Sequence, residues 1–182
     1  MPRLAPVADK SEIAPEYQSV VQAVLELFGG IRGPHSILLH SPTLDQHVLG
    51  LGNYFRDNPV VKSPEKELAI ITGVREREAL YVWAAQVGAA RRGGLSEEAI
   101  AVVKERRDPS SLPADQAAIV TYVRQLFTKN RVDQQVFDAL KDRYGVQWLI
   151  EMTALVGYYA MLGGVVNSFE LAPPADGDVL PV

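Results

Sequence analysis

Apolar residues recur along this chain at helical spacing, and nowhere alternate with polar ones as they would in a half-buried strand. Tyr17, Val20, Val21, Val24, Leu27 and Phe28 form the first stripe. Pro15 suits a first helical turn ahead of it, and Gly29 with Gly30 ends the run. Ser41 and Pro42 open a second predicted helix, with Leu44, Val48, Leu51 and Phe55 as its apolar stripe. Ser63 and Pro64 repeat that start signal before Leu68 and Ile71. A helix over residues 81–90 follows and stops at Gly93 and Gly94.

Ser96 caps the next predicted helix, with Glu97 and Glu98 in its first turn and Lys104, Arg106 and Arg107 at its end. That order suits the helix dipole. Asp108 and Pro109 stop it. Residues 113–129 carry Ile119, Val123 and Leu126 at helical spacing, and Asp133 is placed to cap a helix ending at Tyr144. Val132 and Phe137 are spaced as its hydrophobic staple. Gly145 separates it from a last helix over residues 146–169.

That last helix is apolar or small at nearly every position between residues 151 and 167. The run is shorter than the ~20 residues of a membrane span, so it predicts a core helix of a bundle or of an oligomer. Ala154, Gly157, Ala160, Gly163 and Gly164 would let another helix approach closely. Pro173, Pro174, Gly177 and Pro181 then predict a loose tail or an interaction arm. The expected fold is all-α, with one domain over residues 1–172 and a tail over 173–182.

Composition narrows the chemistry. The 182 residues are 47% hydrophobic and 22% charged, as in a globular domain. Lys plus Arg is 18 and Asp plus Glu is 22, so the net charge is −4, which argues against a nucleic-acid platform. No long apolar run lies in the first ten residues, so no secretory leader is expected and a cytoplasmic setting is the default. Cysteine is absent, which removes disulfides, thiolate nucleophiles and Cys-ligated zinc together. The three histidines, His35, His40 and His47, lack the His-Glu-x-x-His spacing of a zinc helix. No metal and no cofactor are expected.

Several strings together resemble a known family. They are Pro2-Arg3-Leu4, His40-Ser41-Pro42, Glu67-Leu68-Ala69-Ile70-Ile71 and Tyr81-Val82-Trp83-Ala84-Ala85-Gln86. Ala90, Gly94-Leu95-Ser96, Leu155-Val156-Gly157-Tyr158-Tyr159 and Asn167 complete the pattern. In order and spacing they resemble the carboxymuconolactone decarboxylase-like family, which also contains the alkylhydroperoxidase D proteins. The resemblance covers residues 2–173. It implies an all-helical fold around a helical hairpin and assembly as a homo-oligomer, a trimer or hexamer.

The family's redox branch uses a glutamate, a Cys-x-x-Cys pair and a histidine. The resemblance puts the glutamate on Glu67, the cysteines on Ala79 and Val82, and the histidine on Gln86. Only the glutamate is kept. Without a thiol there is no sulfenic acid and no disulfide, so thiol peroxidase chemistry is excluded. The decarboxylase branch relies on acid–base groups around the same hairpin. Gln86 cannot carry a full proton there, but its amide can hydrogen-bond a carboxylate or an enolate-like oxygen.

Each candidate has a plain reading beside the functional one. Glu67 is either a helix N-terminal acid, stabilising by up to about 1 kcal/mol, or an ion-pair partner of Arg75, Arg77 or Arg91, or a general base. Gln86 is an ordinary helix residue or a pocket liner. Tyr81 and Trp83 are core aromatics or substrate contacts. His40 is a structural histidine or a stand-in acid–base group. His47 reads as a boundary residue, and His35, in a Gly33-Pro34 loop, carries little information. Tyr158, Tyr159 and Asn167 make interhelical hydrogen bonds or form a pocket wall. The two tyrosines lie about 100° apart on a helix, so one of them at most is expected to face a given pocket. Arg91 and Arg92 either end a solvated helix or recruit an anion.

Two functions follow. One is a cofactor-independent lyase-type enzyme acting by proton transfer on a small organic acid or lactone. Its catalytic residues are then Glu67, Gln86 and His40, with Tyr81, Trp83, Tyr158, Tyr159 and Asn167 on the substrate. The other is a non-catalytic ligand-binding or oligomeric partner protein of the same fold. Glu67 paired with an arginine in a closed hairpin favours the second, and Glu67 unpaired in an open cavity favours the first.

Overall fold

The computed structural model describes residues 2–57 and 60–181. Among these there is no strand. The helices are α1 (Gln18–Phe28), α2 (Pro34–Leu38), α3 (Pro42–Asp57), α4 (Glu65–Glu76), α5 (Leu80–Arg92), α6 (Glu97–Lys104), α7 (Ala114–Lys129), α8 (Gln134–Tyr144) and α9 (Val146–Ser168).

Local signals explain most boundaries. Gly29 ends α1 in the left-handed region at φ 67, where a glycine pays no Cβ penalty. Ser96 caps α6 by accepting from the Ala99 amide at 3.1 Å. Asp133 stands at the N-cap of α8 but makes no cap bond with its side chain. Its carboxylate accepts instead from the Gln125 side chain at 2.6 Å, tying α8 to α7. α2 is a finding, since Gly33 and Pro34 read as a loop. Pro34 opens a five-residue helix, and four of its residues are buried.

α4 is the centre of the molecule. It packs against α5, α6, α7 and α9. Leu68, Ile71 and Val74 of α4, Trp83 of α5 and Met152 of α9 are fully buried. A fully buried side chain of this size contributes about 1.5–3 kcal/mol. A second, smaller cluster joins Val7, Ile13, Val20, Val21, Val24, Leu39 and Leu49 of the N-terminal third.

The face that α3 buries differs from the predicted stripe. Leu44 and Leu51 are exposed, and the inward residues are Asp45, Val48, Leu49 and Phe55. Val48 and Phe55 of that stripe do face inward, and Asp45 faces inward in place of Leu44, where it meets Nδ1 of His35 at 2.7 Å.

The last helix is also longer than its apolar run. α9 spans 23 residues, enough by length and composition to cross a membrane. Half of its most apolar window is buried inside the fold.

The tail is docked, which corrects the expectation of a loose arm. Asp178 pairs with Lys104 at 2.6 Å and Arg91 at 3.2 Å, and accepts from the Trp83 indole at 3.4 Å. Leu180 is buried in the main core. Only Val182 of this segment lies outside the described residues.

Candidate functional site

A cavity of about 830 Å³ lies between the N-terminal cluster and the main core. α4 and α5 form one wall, through Glu67, Ile70, Tyr81, Val82 and Gln86. α9 adds Leu155, Tyr158, Tyr159 and Leu162. Arg32 to His35 and residues of α3 close another side, and Pro174, Asp176 and Gly177 of the tail complete it. The tail runs so close to α5 that a Cβ on Gly177 would stand 2.5 Å from that of Ala84.

Glu67 sits in the first turn of α4 and is 8% exposed. Its Oε1 accepts from the Ser63 hydroxyl at 3.2 Å. Ser63 was expected as a helix cap; its hydroxyl serves the acid instead. No cation among the described residues pairs with Glu67. The three arginines considered for it are engaged elsewhere. Arg75 bonds the Lys104 carbonyl, Arg91 pairs with Glu97 and Asp178, and Arg77 lies over the Phe127 ring.

Both tyrosines of α9 line the cavity, contrary to the expectation of one at most. The absent side chain at Gly52 makes room for the Tyr158 hydroxyl, since a Cβ there would stand 2.5 Å from it. The cavity therefore wraps around the edge of α9. Tyr158 and Tyr159 meet edge to face, with ring centroids 5.4 Å apart. Burial, and then the charge of Asp45, push the Tyr158 hydroxyl up to about 12. Burial pushes Tyr159 further up, helped by Tyr158 and the negative charge of Glu67. Burial also raises Tyr81, against the opposing effects of Arg32 and the Gly33 backbone. All three are thus kept as hydroxyl donors.

The charge balance of the lining is positive. Arg32, Arg56, Lys66 and Arg92 line the cavity, against the carboxylates of Glu67 and Asp176. None of the four cations forms an ion pair among the described residues. Arg56 donates to the Asn53 side chain and Arg32 to the Phe28 carbonyl. Sequence reasoning found only Arg92, because these cations come from separate segments of the chain.

Glu67, Gln86, Tyr81, Tyr158 and Tyr159 are thus brought to one cavity. Three expected residues lie elsewhere. His40 is exposed, and its Nε2 lies 2.9 Å from the Ala5 carbonyl, where it pins the N-terminal segment. Trp83 is fully buried behind the wall and donates to Asp178. Asn167 donates to the Arg77 carbonyl at 3.0 Å, joining the end of α9 to the turn after α4. The histidine on the cavity is His35, bonded to a buried Asp45. A proline at the first position of a short helix was the signal that could have placed it. Among the described residues, no group of three or more His, Asp or Glu is arranged to hold a metal ion.

No family model and no curated protein matches the chain. Solved structures do. A cysteine-to-alanine variant of the debrominase Bmp8, in complex with 2,3,4-tribromopyrrole, is 16% identical with a TM-score of 0.77, over 96% of this chain and 95% of that one. An uncharacterized peroxidase-related protein with an alkylhydroperoxidase AhpD core, from Ralstonia eutropha JMP134, is 14% identical with a TM-score of 0.74, over 96% and 93%. A protein of unknown function from Agrobacterium tumefaciens is 16% identical with a TM-score of 0.70, over 80% and 100%. At these identities the likeness establishes the fold. The chain has the alkylhydroperoxidase D-like helical fold, in a version without cysteine.

Proposed function

We propose that this chain, a cysteine-free protein of the alkylhydroperoxidase D-like fold, is a cofactor-independent lyase-type enzyme for a small organic acid or lactone. The observation that carries the reading is Glu67, 8% exposed and without a cationic partner among the described residues, in a cavity whose lining holds four cations that make no ion pair among those residues. The excess positive charge favours an anionic substrate. The volume lies within the range of small-molecule pockets. Bmp8, with the same fold, was solved with a small ring compound, which supports a ring-sized ligand.

In this reading the substrate reacts beside a carbonyl, through an enolate. Glu67 moves the proton. The Gln86 amide and the hydroxyl of Tyr158 or Tyr159 donate to the developing oxyanion, and the raised tyrosines remain protonated to do so. The exposed apolar face of α9, with Ile150 and Met161, and a groove of about 350 Å³ between it and Phe137, support a homo-oligomer. A sedimentation mass of one chain would contradict that part.

An activity screen with carboxylated lactones and keto acids tests the reaction. Turnover that falls about tenfold or more in Glu67→Gln is expected, since a general acid–base group contributes roughly 10²–10⁴-fold. Undiminished turnover in that variant removes Glu67 as the proton-transfer group, and a wild-type protein that turns over none of these compounds leaves a ligand-binding protein.

A further inference from the structure

One buried ionisable pair has no part in the chemistry above. His35 and Asp45 are both buried, and Nδ1 of the imidazole lies 2.7 Å from Oδ1 of the carboxylate. Phe28 stacks on the imidazole with ring centroids 4.7 Å apart, so the ring is fixed from two directions. The second carboxylate oxygen, Oδ2, is buried without a hydrogen-bond partner. Stability does not call for such a pair, because apolar residues of similar volume often serve as well or better. His35 also lines the cavity. Its Nδ1 is taken by Asp45, and Nε2 has no partner among the described residues.

We infer that His35 is the second proton-transfer residue of the cavity, acting through Nε2 from α2 while Glu67 acts from α4, with Asp45 as its positioning residue. The inference rests on the proton-transfer reading above. A carboxylate on Nδ1 fixes the tautomer and stabilises the imidazolium. In the step, a C–H bond beside the substrate carbonyl breaks and its proton goes to the Glu67 carboxylate. The electron pair moves into the enolate, and the His35 imidazolium gives its Nε2 proton to the enolate oxygen. One proton leaves carbon, one arrives on oxygen, and nothing is oxidised or reduced. The enol then returns its proton to His35 as its electron pair expels a group β to the carbonyl. That group leaves with the proton held on Glu67, so the elimination of a lyase is complete and both residues are reset. Gln86, which cannot carry a proton, then needs only to hold the oxygen.

The chain has three histidines, so ¹⁵N-histidine labelling yields three imidazoles, and His35→Gln assigns one of them. In the whole wild-type protein, the neutral His35 ring is expected to carry its proton on Nδ1, facing Asp45, and to leave Nε2 bare. In Asp45→Asn the two tautomers are expected to mix. Benzoate, used as a probe anion, should shift the Nε2 resonance of His35. A neutral His35 ring with its single proton on Nε2 overturns the inference. So does benzoate that shifts the Tyr81 ring signals and leaves His35 unmoved; the proton-transfer reading survives both. Benzoate that moves no cavity signal overturns the reading and the inference together. With a substrate in hand, His35→Gln should lower kcat about 10²-fold or more, with KM within about twofold. A loss in Glu67→Gln alone, with His35→Gln at the wild-type rate, removes only the inference.

Discussion

The point that a Cβ on Gly93 would occupy lies 2.8 Å from Cγ of Glu67, and 3.2 Å from both Cβ and Oγ of Ser63. Gly93 follows α5 in ordinary right-handed backbone, at φ −74. Its requirement for glycine is therefore steric. The end of α5 presses on the acid of α4 and restricts the direction its carboxylate takes.

Gly93→Ala should therefore act on the acid without replacing it. Glu67 Cγ is held close to the backbone and cannot swing aside as a side-chain tip would. The variant is expected to lose about 1–3 kcal/mol of stability by overpacking. It should also lose turnover while keeping Glu67. Gly30→Ala, at an open position, should change stability by less than about 0.5 kcal/mol. Thermal unfolding and kcat measured on both variants check this. Wild-type kcat in Gly93→Ala would mean that the packing does not orient Glu67.

The tail offers a prediction in acid. Burial works against ionisation of Asp178, but hydrogen bonds from Lys104, Trp83 and Arg91 outweigh it and hold the carboxyl below its ordinary value. A depressed carboxyl contributes fully above the unfolded value of about 3.9 and loses that contribution as pH falls through the folded one. Trp83 fluorescence should therefore stay constant from about pH 8 to 5 and change only below about 4. Asp178→Asn should release the tail at neutral pH, at a cost of about 1–3 kcal/mol, with the same fluorescence change.

The two helices of the hairpin were legible from sequence because turn signals bracket a regular apolar period, whereas Glu67 was singled out by the family resemblance. What was hidden depends on contacts between distant residues. Leu44 and Leu51 complete a plausible stripe on α3, and nothing local to that helix reveals that Asp45 faces inward to meet His35 of α2. A five-residue helix is too short to show a period, so α2 read as loop. Pro173, Pro174 and Gly177 read as a loose tail because composition does not reveal that Asp178 meets Lys104 and Arg91. The cationic lining was invisible for the same reason, with Arg32, Arg56 and Lys66 on separate segments.

The tyrosines set an alkaline limit. The Tyr158 hydroxyl is pushed up to about 12, and Tyr159 lies higher. Both stay protonated at any pH below the folded value, so neither should ionise in the working range. The pH profile of turnover should show no alkaline limb from these groups below about pH 10. An ultraviolet titration checks this: ionisation of Tyr158 and Tyr159, identified with their Phe variants, should come after that of exposed tyrosines.

The central claim is that Glu67 and Gln86 face a working pocket for an organic anion. A crystal soaked with a mixture of small aromatic and lactone acids tests it most directly. Ligand density is expected beside Glu67 and Gln86, with a carboxylate on Arg32, Arg56, Lys66 or Arg92. An empty cavity, with Glu67 turned onto one of those cations, would contradict it.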